Sequence, residues 1–150
     1  MHVVCEDSAL ELAVALHQDL SIPVRERIAN ADCRGWSEKE GVLFVQPPVS
    51  VLESLVAVRL HVDDCPSEDG ALKVVPASHT VGRLNSAGAN RLRAAQGEEV
   101  VPVARGGAML MRPLLLHASS KMESSMSRRV LHFVFGTRIL PLGLMWRTVI

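Results

Sequence analysis

The sequence predicts a mostly β protein, a sandwich or barrel, on three observations. Apolar runs of strand length recur between Gly, Pro, Asn and Asp breaks: Leu43 to Val45, Leu55 to Val62, Ala71 to Val75, Val100 to Val103, Ala108 to Met111 and Val130 to Phe135. Hydrophobic residues make up 48% of the chain while aromatics are only 3% and Tyr is absent, so Val, Leu, Ala and Met must build the core. Val-rich segments favour strands. The stretch Leu55 to Asp63 alternates in part, and Pro66, Asp69 and Gly70 supply turn chemistry before Ala71 to Val75, which suggests a hairpin with one half-buried face.

Two segments look helical on local grounds. Ser8 to Leu16 has Ser8 as N-cap and Glu11 three residues on, although the alternation around Ala13 to Leu16 would serve a strand leading into His17 equally well. Ser86 to Gln96, ended by Gly97, reads as the firmer helix. Ile28 to Glu40 is polar and contains Gly, so it reads as a loop.

At 150 residues the chain fits one domain, 1–150, with a single core. Lys+Arg and Asp+Glu are both 16, so no net field draws the surface to nucleic acid or an anionic membrane, and a small-molecule partner fits better. Cys5, Cys33 and Cys65 lie far apart and form no CxxC pair, which argues against a disulfide framework or a thiolate zinc site. A cytoplasmic protein is expected, since the N-terminus lacks a basic region before an apolar stretch and no window approaches 18 uninterrupted apolar residues.

Two HxD triplets could offer an imidazole and a carboxylate to one ion: His17-Gln18-Asp19 and His61-Val62-Asp63. In an extended chain residues i and i+2 share a face. A 2-His-1-carboxylate triad leaves three positions of an octahedral Fe(II) open for an oxidisable cosubstrate and O₂, and it needs a distal His. His117 is the strongest candidate, because it ends the apolar run Met109 to Leu116 and is followed by Ala118, Ser119 and Ser120. First-row metal bonds near 2.1 Å require the three ligating atoms to converge to about 3 to 3.5 Å of one another. Eleven residues past His117, Arg128 places a guanidinium on the next strand, with Arg129 pointing the other way. A guanidinium there can take the far end of a dicarboxylate through two parallel hydrogen bonds, as 2-oxoglutarate requires.

These residues resemble bacterial members of the phytanoyl-CoA dioxygenase (PhyH-like) superfamily. The likeness runs from about His17 to His132. It is carried by His17 to Arg27, Gln46-Pro47-Pro48, Asp63-Asp64-Cys65 through Gly70-Ala71-Leu72 to Pro76-Ala77-Ser78-His79, and Arg112 to Ser120 with Arg128-Arg129. The resemblance implies a double-stranded β-helix of the jelly-roll or cupin type with one or two short helices. It implies Fe(II) held by His17, Asp19 and His117, 2-oxoglutarate anchored by Arg128 with Ser119 as a second contact, and O₂ and a small organic molecule as substrates. It also demotes His61-Val62-Asp63, which falls where the family has a strand entering a turn. Family members usually have a longer N-terminal region and often carry a Lys-containing segment and an Asn-Trp pair just before the HxD, where this chain has Glu6 and Glu11-Leu12. Leu16 replaces an aromatic, and Ala77 stands where Gly is usual in the Pro-Gly-Ser-His turn.

The expected activity is hydroxylation with succinate and CO₂ as co-products. A catalytically silent jelly-roll domain for binding or assembly is the rival from another class, and a cupin-like metal enzyme independent of 2-oxoglutarate is the third reading. His79 and His132 are expected to be structural.

Overall fold

The computed structural model describes residues 2–8, 14–68, 70–120 and 128–148, with residues 2–8 and 128 described in their backbone alone. In chain order the elements are β1 (His2–Ser8), β2 (Val14–His17), β3 (Ile22–Val24), β4 (Arg34–Lys39), β5 (Val42–Gln46), α1 (Val49–Glu53), β6 (Val56–His61), β7 (Leu72–Val74), α2 (Ser86–Gln96), β8 (Glu99–Val101), β9 (Ala108–Met111), β10 (His117–Ser119) and β11 (Arg128–Phe135). Two four-stranded sheets have the orders β1-β11-β6-β9 and β2-β10-β7-β8, and a third of three strands runs β3-β5-β4. All the pairings are antiparallel, and β1 beside β11 with β2 beside β10 wraps the two ends of the chain into both main sheets. This is the double-stranded β-helix that the resemblance implies.

Every apolar run named above contributes to a strand, and α2 keeps the expected bounds. Its N-cap is Asn85, whose side chain accepts a hydrogen bond from Gly88 N, and Gly97 closes it at φ 79° with its N–H on Arg93 O. Three expectations need correcting. The predicted hairpin does not form, because β6 is paired on both sides, by β11 and β9, and the chain crosses to the other sheet before β7. The predicted loop Ile28 to Glu40 contains β4: its backbone pairs with β5, and Trp36 packs on the core while Arg27 lies over its ring at 5.4 Å. The alternative strand reading of Ala13 to Leu16 holds from Val14 onward, while Ser8 ends β1 and residues 9–13 lie outside the described residues.

The largest apolar cluster among the described residues centres on the small sheet. Ile22, Val24, Val45, Leu52, Leu55, Leu114 and Trp146 join β3, β5, α1 and the C-terminal segment. A smaller one, Val75, Ala89 and Leu116 with Leu16, Leu84 and Leu92, seats α2 on the β2-β10 side of its sheet. Between the sheets the apolar packing is thin, with Ala57, Leu72 and Met111 buried, while Arg59, His61, His117, Ser119 and His132 are also buried. Strand alternation aims Ala57, Arg59 and His61 the same way. No helix among the described residues is long and apolar enough to cross a membrane.

Arg112, a cation within an apolar run, satisfies itself by donating from Nη1 to Leu55 O at 3.0 Å. Ala77, at the position where the resemblance has Gly, adopts φ 56° and ψ 1°, a left-handed conformation that a β-carbon disfavours by roughly 1–2 kcal/mol. Glycine costs about 0.5–1 kcal/mol more unfolded-chain entropy, so Ala77→Gly is expected to stabilise the protein by about 0.5–1 kcal/mol. Calorimetry should show a rise of about 1–4 °C in melting temperature, and a fall would contradict the strain argument.

Candidate metal centre

The register of β2 against β10 sets His17 directly opposite His117. Leu16 and Leu116, each one residue earlier, turn to α2, so alternation sends both imidazoles to the other face. Their rings lie 4.2 Å apart between centroids at 54°. Gln18 points away from the site and is saturated there: its Nε2 donates to Gly82 O at 2.9 Å and Leu114 O at 2.7 Å, and its Oε1 accepts from Leu84 N at 2.9 Å. Asp19 then returns toward the histidines, its backbone N–H held on Pro113 O at 2.9 Å.

The Asp19 Oδ1 atom lies 3.6 Å from His17 Nε2 and 3.8 Å from His117 Nε2, and one ligating atom from each of the three residues falls within 4.8 Å of the others. These edges are wider than the 3 to 3.5 Å expected from the sequence, by a few tenths of an ångström on the two edges to Asp19. Small χ rotations span that difference for His17 and Asp19, whose side chains are 39% and 26% exposed, whereas His117 at 3% is fixed.

Hydrogen bonding decides which nitrogen each ring offers. His17 Nδ1 lies 2.8 Å from Ala15 O and His117 Nδ1 lies 2.8 Å from Leu115 O. A carbonyl oxygen only accepts, so in the neutral rings each Nδ1 carries the proton and each Nε2 presents its lone pair toward Asp19. A backbone carbonyl on the far nitrogen is the usual partner of a metal-bound histidine. Asp19 Oδ2 is buried with no hydrogen-bond partner among the described residues. A buried carboxylate facing two imidazole lone pairs is a poor arrangement for polar groups by themselves and a good one around a divalent cation. The donor set therefore fits a metal such as Fe(II).

Charge at the site follows from these contacts. The Asp19 carboxylate raises the pKa of His17 against the opposing effect of burial. Burial lowers that of His117, more than Asp19 raises it. Asp19 itself is desolvated, which works to raise its pKa, yet His17, His117 and His132 together hold it below the ordinary carboxylate value.

Ser119 follows on the same face of β10 as His117, buried, with its Oγ lacking a hydrogen-bond partner among the described residues. Arg128 opens β11 opposite Ser8, and its side chain lies outside the described residues, as do Glu11 and Leu12 and the side chain of Glu6. The rival triplet comes apart: His61 is buried on β6, while Asp63 lies beyond the strand end and is held by Arg129, Nε on Oδ2 at 2.9 Å and Nη2 on Oδ1 at 2.8 Å. That clasp holds the Asp63 carboxyl well below the usual carboxylate range and engages Arg129 in a surface pair.

Sequence reasoning missed two neighbours of the triad. His132 Nε2 lies 4.0 Å from Asp19 Oδ2, and Arg59 Nη1 lies 3.4 Å from His132 Nδ1 across the β6-β11 pairing that sets the two residues opposite each other. Their alternation with Ala57, His61 and Val130 on buried strands was the available signal. A cavity of about 410 Å³ opens on the triad, lined by His17, Asp19, Leu20, Phe44 and His132 with Ser37 and Lys39 of β4.

A jelly roll holding a His-x-Asp pair and a distal histidine on paired strands defines a metal-binding member of the double-stranded β-helix class. The family model of phytanoyl-CoA dioxygenase (PhyH) matches residues 1–130, and the chain belongs to that family. Among solved structures it is similar to AviO1 from Streptomyces viridochromogenes Tue57, with 19% identity, TM-score 0.59, and coverage of 93% of this chain and 50% of that one. It is also similar to SnoK, a non-heme alpha ketoglutarate dependent carbocyclase from nogalamycin biosynthesis, with 15% identity, TM-score 0.57, and coverage of 89% of this chain and 47% of that one. A third is EctD from S. alaskensis with 2-oxoglutarate and 5-hydroxyectoine, with 17% identity, TM-score 0.51, and coverage of 56% of this chain and 31% of that one. The chain thus spans half or less of the length of these structures. No curated protein matches it.

A metal must displace the proton that Asp19 helps His17 to hold, so affinity is expected to fall on acidification, starting above the ordinary imidazole value of 6.5. In metal-free protein the sign reverses: the raised pKa contributes stability fully below 6.5, and that contribution is lost as pH rises through the raised value. Co(II) titration calorimetry between about pH 5 and about pH 8 tests the first statement, and an affinity flat down to about pH 6 would refute it.

Proposed function

We propose that this chain is the core of an Fe(II)- and 2-oxoglutarate-dependent dioxygenase that hydroxylates a small organic substrate. The observation that carries the reading is the placing of the paired histidines: each has its Nδ1 2.8 Å from a backbone carbonyl and its Nε2 turned to the one carboxylate of Asp19. His17, Asp19 and His117 would hold the metal. When bound, Fe(II) and 2-oxoglutarate supply an oxidative decarboxylation in which O₂ gives one oxygen atom to succinate and the other to a C–H bond, with CO₂ released.

The protein's own part is placement and exclusion of water. Arg128 would clasp the distal carboxylate of 2-oxoglutarate; an even spacing of four residues separates it from the buried His132 on the same strand. Ser119 Oγ, buried beside the distal histidine, would donate to the same cosubstrate. The cavity of about 410 Å³ suits a small substrate, with Phe44 and Leu20 offering apolar contact and Lys39 and Ser37 polar contact. The site histidine on its edge strand, His17, faces this opening.

Purified protein with Fe(II), ascorbate and 2-oxoglutarate is expected to release succinate slowly without any prime substrate. His117→Ala should abolish this release, and Arg128→Ala should weaken 2-oxoglutarate binding by about 30- to 150-fold, the loss of about 2–3 kcal/mol from a charge-assisted pair. Wild-type protein that neither binds nor consumes 2-oxoglutarate would end this reading. An Arg128→Ala variant with undiminished affinity would remove Arg128 from it.

A further inference from the structure

Three histidines converge on Asp19, and their hydrogen bonds sort them into two kinds. His17 and His117 give their Nδ1 protons to carbonyl oxygens, which leaves Nε2 as a lone pair. His132 is wired the other way. The group at its Nδ1 is Arg59 Nη1, at 3.4 Å, and a guanidinium has donors only. Nδ1 must therefore accept, which puts the ring proton on Nε2, and Nε2 lies 4.0 Å from Asp19 Oδ2. We infer that His132 is a positioning residue for Asp19, an Nε2–H donor set by Arg59 that steadies the carboxylate oxygen facing away from His17 and His117 so that Oδ1 stays free for a metal. The inference rests on the proposed metal centre and assigns His132 a part that neither the family match nor the structural neighbours assign.

Geometry supports each link. Arg59 and His132 are paired residues on adjacent strands, so their contact is fixed by the sheet rather than by a loop. Both are buried, Arg59 at 6% and His132 at 9% exposure, so the polar chain runs through a region of weak screening. Asp19 Oδ1 is the oxygen nearer His17 and His117, and Oδ2 is the one nearer His132, so the two carboxylate oxygens have separate partners. At 4.0 Å the last link is longer than a hydrogen bond, and the proposal requires a rotation of the partly exposed Asp19 side chain to close it. His132 as a fourth ligand is the competing assignment, and it would need the Nε2 lone pair that Arg59 denies it.

The test uses the full chain in two independent measurements. Nitrogen-15 NMR of the metal-free protein, at a pH where imidazoles are neutral, is expected to find His132 protonated on Nε2 and His17 and His117 protonated on Nδ1. A His132 protonated on Nδ1 overturns the proposal. Co(II) calorimetry is then read on His132→Leu and His132→Gln, with circular dichroism of the metal-free variants to establish folding. His132→Leu should bind about 10- to 100-fold more weakly, the usual effect of losing a partner of a metal ligand, and His132→Gln, whose amide can donate to Oδ2, should recover most of it. Wild-type affinity in His132→Leu overturns the inference. So does a loss as complete as that of His117→Ala, which would make His132 a ligand, or a His132→Gln as weak as His132→Leu, which would make its role one of packing. If His132→Leu does not fold, the glutamine variant and the NMR result decide. Wild-type protein that binds no divalent metal would sink the proposed function instead, a result separable from the tautomer found at His132.

Discussion

The pairing of β2 with β10 sets His17 across from His117 and, one residue earlier on each strand, turns Leu16 and Leu116 under α2. A slip of one residue would exchange the two faces, sending both leucines into the polar interior and both imidazoles into an apolar cluster. The fully buried Leu116 is worth about 1.5–3 kcal/mol and the partly buried Leu16 adds less, so the apolar face behind the sheet helps hold the register that the site in front of it needs. Gln18 adds a second lock, since its three hydrogen bonds tie the strand end to the chain at Gly82, Leu84 and Leu114. Breaking any of them inside the protein would leave a buried polar group unsatisfied.

Most of the apolar packing and most of the buried polar groups lie in different parts of the fold, which meet at Leu20 and Val134 beside the cavity. The main apolar cluster joins α1, the small sheet and the C-terminal segment through Leu52, Val45 and Trp146, while the space between the two large sheets carries Arg59, His61, His117, Ser119 and His132. Buried polar groups are costly unless paired or bound to a ligand, and Ser119 Oγ, Asp19 Oδ2 and both ring nitrogens of His61, which lack hydrogen-bond partners among the described residues, sit in or beside this space. Such a concentration in a chain with an otherwise ordinary core marks an interior shaped for a ligand more than for folding.

Much of this was legible in the sequence, because the signals involved are local. The strands were readable as short apolar runs between turn residues, and α2 from Asn85 through Gly97 as a capped helix. Strand geometry made His117 and two HxD pairs readable, because an i, i+2 pair on an extended chain shares a face and an apolar strand carries its last residue inward, while the choice of His17 and Asp19 over His61 and Asp63 came from the family resemblance. What could not be read was pairing. The turn chemistry from Pro66 to Gly70 favours a hairpin, yet β6 already has partners on both edges, which only the closed topology reveals. His132 and Arg59 were missed for the same reason: 73 positions apart in sequence, they become neighbours only through the β6-β11 register. The separation of His61 from Asp63 likewise depends on where β6 ends.

The two histidines opposite each other are not equivalent, and the asymmetry gives the site a direction. His117 stands on an inner strand, 3% exposed, with β2 on one side and β7 on the other, and cannot move without disturbing both. His17 stands at the end of the edge strand, 39% exposed and lining the cavity with Phe44 and Lys39. A ligand must approach from the His17 side, because the His117 side is closed by the sheet and by Leu72 and Val74 of β7. Arg59 and His132 lie on the opposite sheet, so the carboxylate of Asp19 is met by the histidine pair from one sheet and by His132 from the other. Asp19 thus stands between side chains of the two sheets, and a rearrangement that separated the sheets would part it from one of these partners.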